Sequence, residues 1–548
     1  MNRQLRFGLP FLLLTASLYT KAQTIRPQQI DSLLHTIVQP NEPGVSLAIW
    51  QKNKLVYARG YGLADLSARR KITPATPFNI ASMSKQFTAA SIYLLESRGK
   101  LSSSDKLSKF FPDFPAYADS ITLAHLIHHQ SGLRDHSALI WLRDMNENGN
   151  YNDSVVYNIL SRQRSLNFTP GSRWSYSNSG YFLLGRIVQQ VSGQDLDAFV
   201  AANIFKPLRM KHTQLSRTHK VPGKANGYIQ TDKGFKENNP TTGVIGQGNG
   251  YSVVTDFGPW FKEMKEHRLL GDAAWKKMLT PSVTDSGEDT KYGGGLHIQQ
   301  YKGQLLVSHG GDISGYHSRM YHFPASGLDI LMFSNNDRIT GSPEFRAIYS
   351  LLYPEPKAAA TVNQASIAID TASLTGIYVA AEDSALNISV NITEDKIMAR
   401  QHWNDESYAL VPENDSTLAV EGAPAVKLVF AHLAEGKAKE MYILQDGQRI
   451  AFKRTDRVAG LDAQAAIQYA GDYYNSEIDA RYRVIFSNGQ LVVHIGQASY
   501  NMTRVGLQQG VFGLDNGLVL EFHVDEAGKA TGFTLVHARV SDLRFVRE

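Results

Sequence analysis

Ser82 and Lys85 stand three residues apart in Phe78-Asn79-Ile80-Ala81-Ser82-Met83-Ser84-Lys85-Gln86-Phe87. Behind them apolar residues recur at Phe87, Ala90, Leu94 and Leu95, the one-face spacing of a helix, with Gly99 as a natural stop. A Ser at the head of a helix and a Lys one turn on share a face, so the hydroxyl can reach the amine. A neutral amine there can take the hydroxyl's proton and turn Ser82 into a nucleophile. The helix N-terminus offers free backbone N–H groups where an oxyanion develops. The same field, with partial burial, disfavours the ammonium form of Lys85.

S-x-x-K alone is weak: Ser103-Ser104-Asp105-Lys106 has it too, in a Ser-rich stretch with no apolar run behind it, and reads as a solvated turn. Two further stretches add chemistry. Tyr176 and Asn178 follow the turn signal Pro170-Gly171 and precede a helical run, Tyr181 to Val191, closed by Gly193. His309-Gly310-Gly311-Asp312 ends a strand-like run, and glycines there let a backbone approach a ligand or another strand. His125, His128 and His129 could suggest a metal cluster, but no H-E-x-x-H accompanies them, and a helix-end, loop-anchoring role is the expectation. The Gly-rich stretch 243–251 lacks the phosphate-loop pattern. No metal or cofactor is expected.

These residues need a frame. Gly44 to Trp50 and Lys54 to Gly60 read as two strands around a short turn. Gln304 to His309, Gly315 to Phe323 and Leu328 to Phe333 read as an antiparallel meander pairing with that hairpin. Strands at both ends with helices between them, including a segment from Ile121 to His129, predict an α+β domain. Residues 134–168 are polar and loop-like, a possible wall of a cleft, and 212–245 carry no readable pattern. Pro354-Glu-Pro-Lys-Ala-Ala-Ala opens a linker, 354–371. Beyond it the pattern is β and repeats: Leu374-Thr-Gly376-Ile-Tyr378 recurs as Tyr469-Ala-Gly471-Asp-Tyr473. Asn488-Gly489 is a hairpin signal. Two small all-β barrel or sandwich domains are expected, at 372–460 and 461–548.

At 548 residues about two to four domains are expected. A formal net charge of +5 with no basic block gives no sign of a nucleic-acid or membrane-surface partner. With no cysteine there is no disulfide and no thiol nucleophile. Arg3 and Arg6 precede an apolar run ending near Leu18, then Thr20-Lys21-Ala22, which reads as a signal peptide over 1–22. No later segment is apolar enough for a membrane span. An exported protein, periplasmic or secreted, of bacterial type is expected. Oligomeric state leaves no trace in the sequence.

Taken in order, Ser82-x-x-Lys85, Tyr176-x-Asn178 and His309-x-Gly311 resemble the serine β-lactamase and penicillin-binding-protein superfamily, nearest its class C β-lactamase, D-aminopeptidase and esterase branch. The likeness covers roughly residues 35–350. It implies a β-lactamase/transpeptidase-like domain over 23–353, with Ser82 as nucleophile, Lys85 as base and Tyr176 as proton shuttle. It implies that Asn178 holds Lys85 and the substrate amide, and that the Ser82 and Asp312 N–H groups form the oxyanion hole, with His309 and Gly311 on the substrate side. The third motif departs from the usual Lys-Thr/Ser-Gly: a His is only partly charged near neutral pH, and Gly310 has no hydroxyl. Recognition of a substrate carboxylate there should weaken. The resemblance therefore implies a serine hydrolase of amide or ester bonds in small-molecule or peptide substrates, D-aminopeptidase- or esterase-like. A β-lactamase or D,D-carboxypeptidase, and a non-catalytic envelope-binding protein, are the alternatives.

Overall fold

The computed structural model describes residues 26–145, 151–353, 370–380, 387–393, 396–401, 406–421, 423–434, 436–445, 448–455, 463–504, 510–514, 518–537 and 539–548. The expected signal segment 1–22 and nearly all of the expected linker lie outside them; Asp370 and Thr371 already lead into a short helix, Thr371–Leu374.

Strands β1 (Val45–Gln51) and β2 (Lys54–Tyr61) form the N-terminal hairpin. Lys52 and Asn53 turn it with φ of 51° and 64°, the double left-handed turn that matches strand twist. β3 (His297–Tyr301), β4 (Gln304–Ile313), β5 (Tyr316–Phe323) and β6 (Leu328–Ser334) complete one antiparallel sheet in the order β3-β4-β5-β6-β1-β2. The meander and its pairing with the hairpin are as the sequence predicts; β3 was not foreseen. Period-2 alternation sorts the central strands onto two cores. Val45, Leu47 and Ile49 of β1 and Leu328, Ile330 and Met332 of β6 pack with Ile30, Leu34, Phe345 and Ile348 from the helices Pro27–Ile37 and Ser342–Leu352. Ala48, Trp50, Leu331 and Phe333 face the opposite core with the main helical layer.

Helix α1 (Lys85–Ser97) is the centre of that layer. Every residue from Lys85 to Leu95 is buried, so it is a core helix rather than an amphipathic surface one. Phe87 packs edge-on to Phe205 and tilted on Trp260, both at 4.9 Å between centroids. The expected polar loop at 134–168 is a misreading: it holds α2 (His136–Asp144) and α3 (Asp153–Ser161). Short stripes, Leu139/Ile140/Leu142 and Val156/Ile159/Leu160, are buried, and Asp135 and Asn152 cap the two N-termini. Each helix is only nine residues long, too short for its apolar run to show a helical period. Residues 146–150 lie outside the described residues. α4 (Asn178–Ser192) begins three residues earlier than its apolar pattern and ends on Gly193 at φ 71°. The expected helix over 121–129 is only Leu123–Ile127, where His125 completes a capping box with Thr122.

The C-terminal β domains are two closed eight-stranded antiparallel barrels, resolving the barrel-or-sandwich alternative. The first runs from Gly376–Ala380 to Gln448–Thr455, the second from Gly471–Asn475 to Val540–Arg547. The sequence repeat is a structural latch. Tyr378 donates to Leu374 O at 2.8 Å, and Tyr473 to Tyr469 O at 2.7 Å. Above each ring lies an arginine, Arg454 and Arg547, each 5.9 Å from the ring centroid. Asn488 and Gly489 turn their hairpin at φ 50° and 82°. Apolar residues of the second barrel, including Ile478 and Tyr482, share one core cluster with the helical layer, whereas the first barrel has a core of its own.

Candidate active site

Ser82 sits where the short strand Phe78–Ala81 runs into the turn that opens α1. Ala81, just before it, holds φ 44° and ψ −128°, a strained setting for a residue with a Cβ. Neighbours fix it there. Ala81 N donates to Asn79 Oδ1 at 2.8 Å, and Ser84 Oγ donates to Ala81 O at 2.7 Å while accepting from Gly250 N at 3.0 Å. The result is a half-exposed Ser82 on a rigid corner.

Lys85 is fully buried and its Nζ lies 3.0 Å from Ser82 Oγ, 2.8 Å from Asn178 Oδ1 and 2.7 Å from Gln247 O. Burial drives its pKa well below the ordinary lysine value; the Asp135 carboxylate opposes this and Arg539 adds to it. A neutral amine has two N–H donors and one lone pair. Asn178 Oδ1 and Gln247 O can only accept, so they take the two N–H groups and leave the lone pair for the Ser82 hydroxyl. Gln247 acts through its carbonyl. Gly246 (φ 112°) lets that loop lie against α4, since a Cβ there would meet Tyr181 O at 2.6 Å.

Tyr176 is half-buried, its ring centroid 4.8 Å from Lys85 Nζ. Burial raises the phenol's pKa, and hydrogen bonding to the Ser82 hydroxyl lowers it less, so the phenol is protonated at neutral pH. The His129 ring packs tilted against Tyr176 at 4.3 Å between centroids and accepts from Ser177 N at 3.2 Å. The three histidines of 125–129 thus have separate structural contacts, His128 reaching Tyr292 O at 3.3 Å. Asp135 bolts the site together: Oδ2 accepts from Asn178 N at 2.6 Å, and Oδ1 accepts from Ser137 N and Ala138 N. One carboxylate therefore caps α2 and fixes the residue that holds Lys85.

The third motif lies on β4 beside Ser82. Gly311 opposes Ser318, whose Oγ donates to Ile80 O at 2.8 Å. A Cβ on Gly311 would sit 2.3 Å from Ile80 O and 2.8 Å from Ser82 N, so only glycine brings the strand this close. His309 differs from its expected character. It is 4% exposed, and burial takes its pKa well below the ordinary value, so it is neutral rather than partly charged. Its Nδ1 must donate to Gly310 O, a carbonyl, which leaves Nε2 to accept from Tyr292 OH at 3.1 Å. The Asp312 carboxylate is held by His317 and by Arg319, the latter at 2.8 Å.

The second barrel closes one side of the site. Its last hairpin joins β7 (Ala530–His537) to β8 (Val540–Arg547). Arg539 O in the turn accepts from Asp135 N at 3.2 Å and Asn167 Nδ2 at 3.0 Å. Arg134, with no exposed side-chain surface, uses all five of its donors: Nε to Ser541 O, Nη1 to Gln163 Oε1 and Glu477 Oε2, and Nη2 to Ser165 Oγ and Asp542 O. Tyr482 donates to Leu142 O at 2.6 Å, and Trp141 meets His537 at 5.7 Å between centroids. Gln247, Asp135, Arg134 and Arg539 were all missed from sequence. A helix-capping Asp before residue 136 is the one signal that could have found any of them.

Ser82, Lys85, Tyr176 and Asn178 thus meet at the junction of an antiparallel sheet and a helical layer. That is the arrangement of the serine β-lactamase and penicillin-binding-protein superfamily, a class of serine hydrolases. The family described as Beta-lactamase matches residues 30–353, more than half of the chain, and the chain belongs to it. It is 25% identical over 453 residues to a penicillin-binding protein of Bacillus subtilis (strain 168), covering 78% of this chain and 98% of that protein. It is 24% identical over 533 residues to the D-aminopeptidase of Brucella melitensis biotype 1, covering 92% of this chain and 96% of that one. The octameric penicillin-binding protein homologue from Pyrococcus abyssi shares the fold, with a TM-score of 0.55 and 23% identity over 78% of this chain and all of that one. Among the described residues no helix is long and apolar enough to cross a membrane.

Proposed function

We propose that this chain is an exported serine hydrolase that cleaves amide or ester bonds through an acyl-enzyme on Ser82. The observation that carries this is the Lys85 amine, whose two N–H groups are taken by Asn178 and Gln247 so that its lone pair faces Ser82 Oγ at 3.0 Å. Lys85 takes the hydroxyl proton as Oγ bonds to the substrate carbonyl carbon. The carbonyl oxygen becomes an oxyanion held by the Ser82 and Asp312 N–H groups. Tyr176, protonated at rest, gives its proton to the leaving group as the scissile bond breaks, and regains one from the Lys85 ammonium. In deacylation a water loses its proton to the same relay, its oxygen attacks the acyl carbon, and Ser82 leaves with the proton restored.

The neutral, buried His309 supports substrates without a carboxylate at the third-motif position, and so a D-aminopeptidase- or esterase-like activity over efficient β-lactam or D,D-carboxypeptide cleavage. The likeness to a D-aminopeptidase along nearly all of both chains supports the same choice. The test is labelling by a fluorophosphonate probe together with a panel of short-chain esters, D-aminoacyl anilides, nitrocefin and peptides ending in D-Ala-D-Ala. Labelling lost in Ser82→Ala, with turnover of esters or anilides, is the expected result. An unlabelled Ser82, with turnover untouched in Ser82→Ala, would refute it.

A further inference from the structure

Among the described residues the sheet side of the site has no free cation: His309 is buried and neutral, Gly310 carries no side chain, and Arg319 is engaged by Asp312. The opposite side has one. The guanidinium carbon of Arg539 lies 5.5 Å from the centroid of the Tyr176 ring. The Arg539 side chain is exposed, and among the described residues it makes no hydrogen bond or ion pair. Its backbone is the reverse, pinned through Arg539 O to Asp135 and Asn167, with Asn167 Oδ1 accepting from Ser541 N at 2.8 Å. The nearest carboxylate, Asp135, feels the Arg539 charge but makes no hydrogen bond or ion pair with its side chain. Asp135 accepts from three backbone N–H groups, and Asp312 is held by His317 and Arg319. A fixed turn thus presents a planar cation with unused donors over the residue that handles the leaving-group proton. Such a fork matches a carboxylate through two parallel, charge-assisted hydrogen bonds.

We propose that Arg539 is a specificity-determining anchor for a substrate carboxylate, so that this hydrolase prefers amides or esters bearing an anion beside the scissile bond. The inference rests on the Ser82 hydrolase reading and names the substrate class of that site. It places the anion-binding cation on the second barrel rather than on β4, so anion recognition depends on a part of the chain outside the β-lactamase-like domain.

The test compares matched ester pairs on the full chain: the p-nitrophenyl half-ester of glutaric acid against p-nitrophenyl butyrate, and carboxyphenyl acetate against its methyl-ester analogue. The readout is the ratio of kcat/KM, anionic over neutral, in which the intrinsic reactivity of each ester cancels between variants. The wild type favours the anion in at least one pair. Arg539→Gln lowers that ratio about 10- to 100-fold, as loss of a charge-assisted hydrogen bond predicts; Arg539→Lys retains part of it, and Arg539→Glu takes it furthest down. Added salt narrows the wild-type preference. No anionic preference in the wild type, or a ratio unmoved by Arg539→Gln, overturns the proposal. So does an equal fall for anionic and neutral esters, which would make Arg539 a positioning residue for Tyr176. Fluorophosphonate labelling of Ser82 separates the two failures: labelling without anion preference removes only this inference, while no labelling removes the hydrolase reading beneath it.

Discussion

Replacing Arg134 with Met should detach the second barrel from the active site without touching a reacting group. Arg134 is wholly buried and spends its five donors on five acceptors, four of them on or beside the docked hairpin or the Ser165 loop. Methionine fills part of the volume and satisfies none of them. The Glu477 carboxylate, 11% exposed, then keeps only the Arg164 N–H at 2.7 Å, and the carbonyls of Ser541 and Asp542 lose their partner. Breaking a buried ion pair by removing one member costs about 3–5 kcal/mol, which shifts the docking equilibrium about 10²- to 10⁴-fold. The remaining polar ties, such as Tyr482 to Leu142 O, are single hydrogen bonds worth about 1 kcal/mol each, beside the apolar contacts of Ile478 and Tyr482 with the helical layer. The assay is calorimetry alongside ester kinetics: the variant should unfold in separated transitions and lose the anionic-over-neutral preference. Arg134→Met with Glu477→Gln should recover part of the loss, because Gln still accepts from Arg164 N without leaving a buried charge. A double variant no better than the single one, or an Arg134→Met protein with wild-type unfolding and kinetics, would refute the reasoning.

Gly311→Ala should reduce kcat/KM about 10²-fold or more and lower the melting temperature, because the new methyl meets Ile80 O and Ser82 N, backbone atoms that cannot step aside; stopped-flow acylation and thermal unfolding measure both. Turnover should fall as pH drops through the depressed pKa of Lys85, since the neutral amine is the working form, and a pH–rate profile of kcat/KM reads this. The stability term has the matching sign. Unfolded Lys85 binds a proton that the folded site does not, so its burial weakens the fold below about pH 10.4, and that loss shrinks as pH rises toward it. Ala81→Gly should raise unfolding free energy by roughly 1 kcal/mol, the relief of strain at φ 44° exceeding the added freedom of the unfolded chain; denaturant titration checks it.

What could be read in the sequence divides along physical lines. The Ser82 corner, the meander and the Asn488-Gly489 turn are written in local periodicity and in residues with narrow backbone preferences. Their positions follow from spacing alone. The helices at 136–144 and 153–161 were hidden because each is only nine residues long, and its apolar run, Ala138 to Leu142 or Val155 to Leu160, is too short to show a helical period between stretches rich in Asp, Asn and Arg. Gln247 was unreadable for a different reason: it works through a carbonyl, which every residue carries, and only the glycine at 246 hints that the loop must lie close to something. His309 could be placed but not its charge, which is set by the burial that Tyr292 and the sheet impose. Arg134, Asp135 and Arg539 depend on contacts between segments some four hundred residues apart, and no local pattern encodes such a meeting.

That separation between Ser82 and Arg539 bears on how the enzyme comes to life. The nucleophile and its amine are neighbours within one turn, formed as soon as the first core condenses. The turn that flanks them belongs to a barrel that must first close its own eight strands and then find its berth. Contacts spanning so much chain form late. A refolding population should therefore pass through a stage in which neutral esters are already turned over indiscriminately, with selectivity maturing only as the barrel comes home.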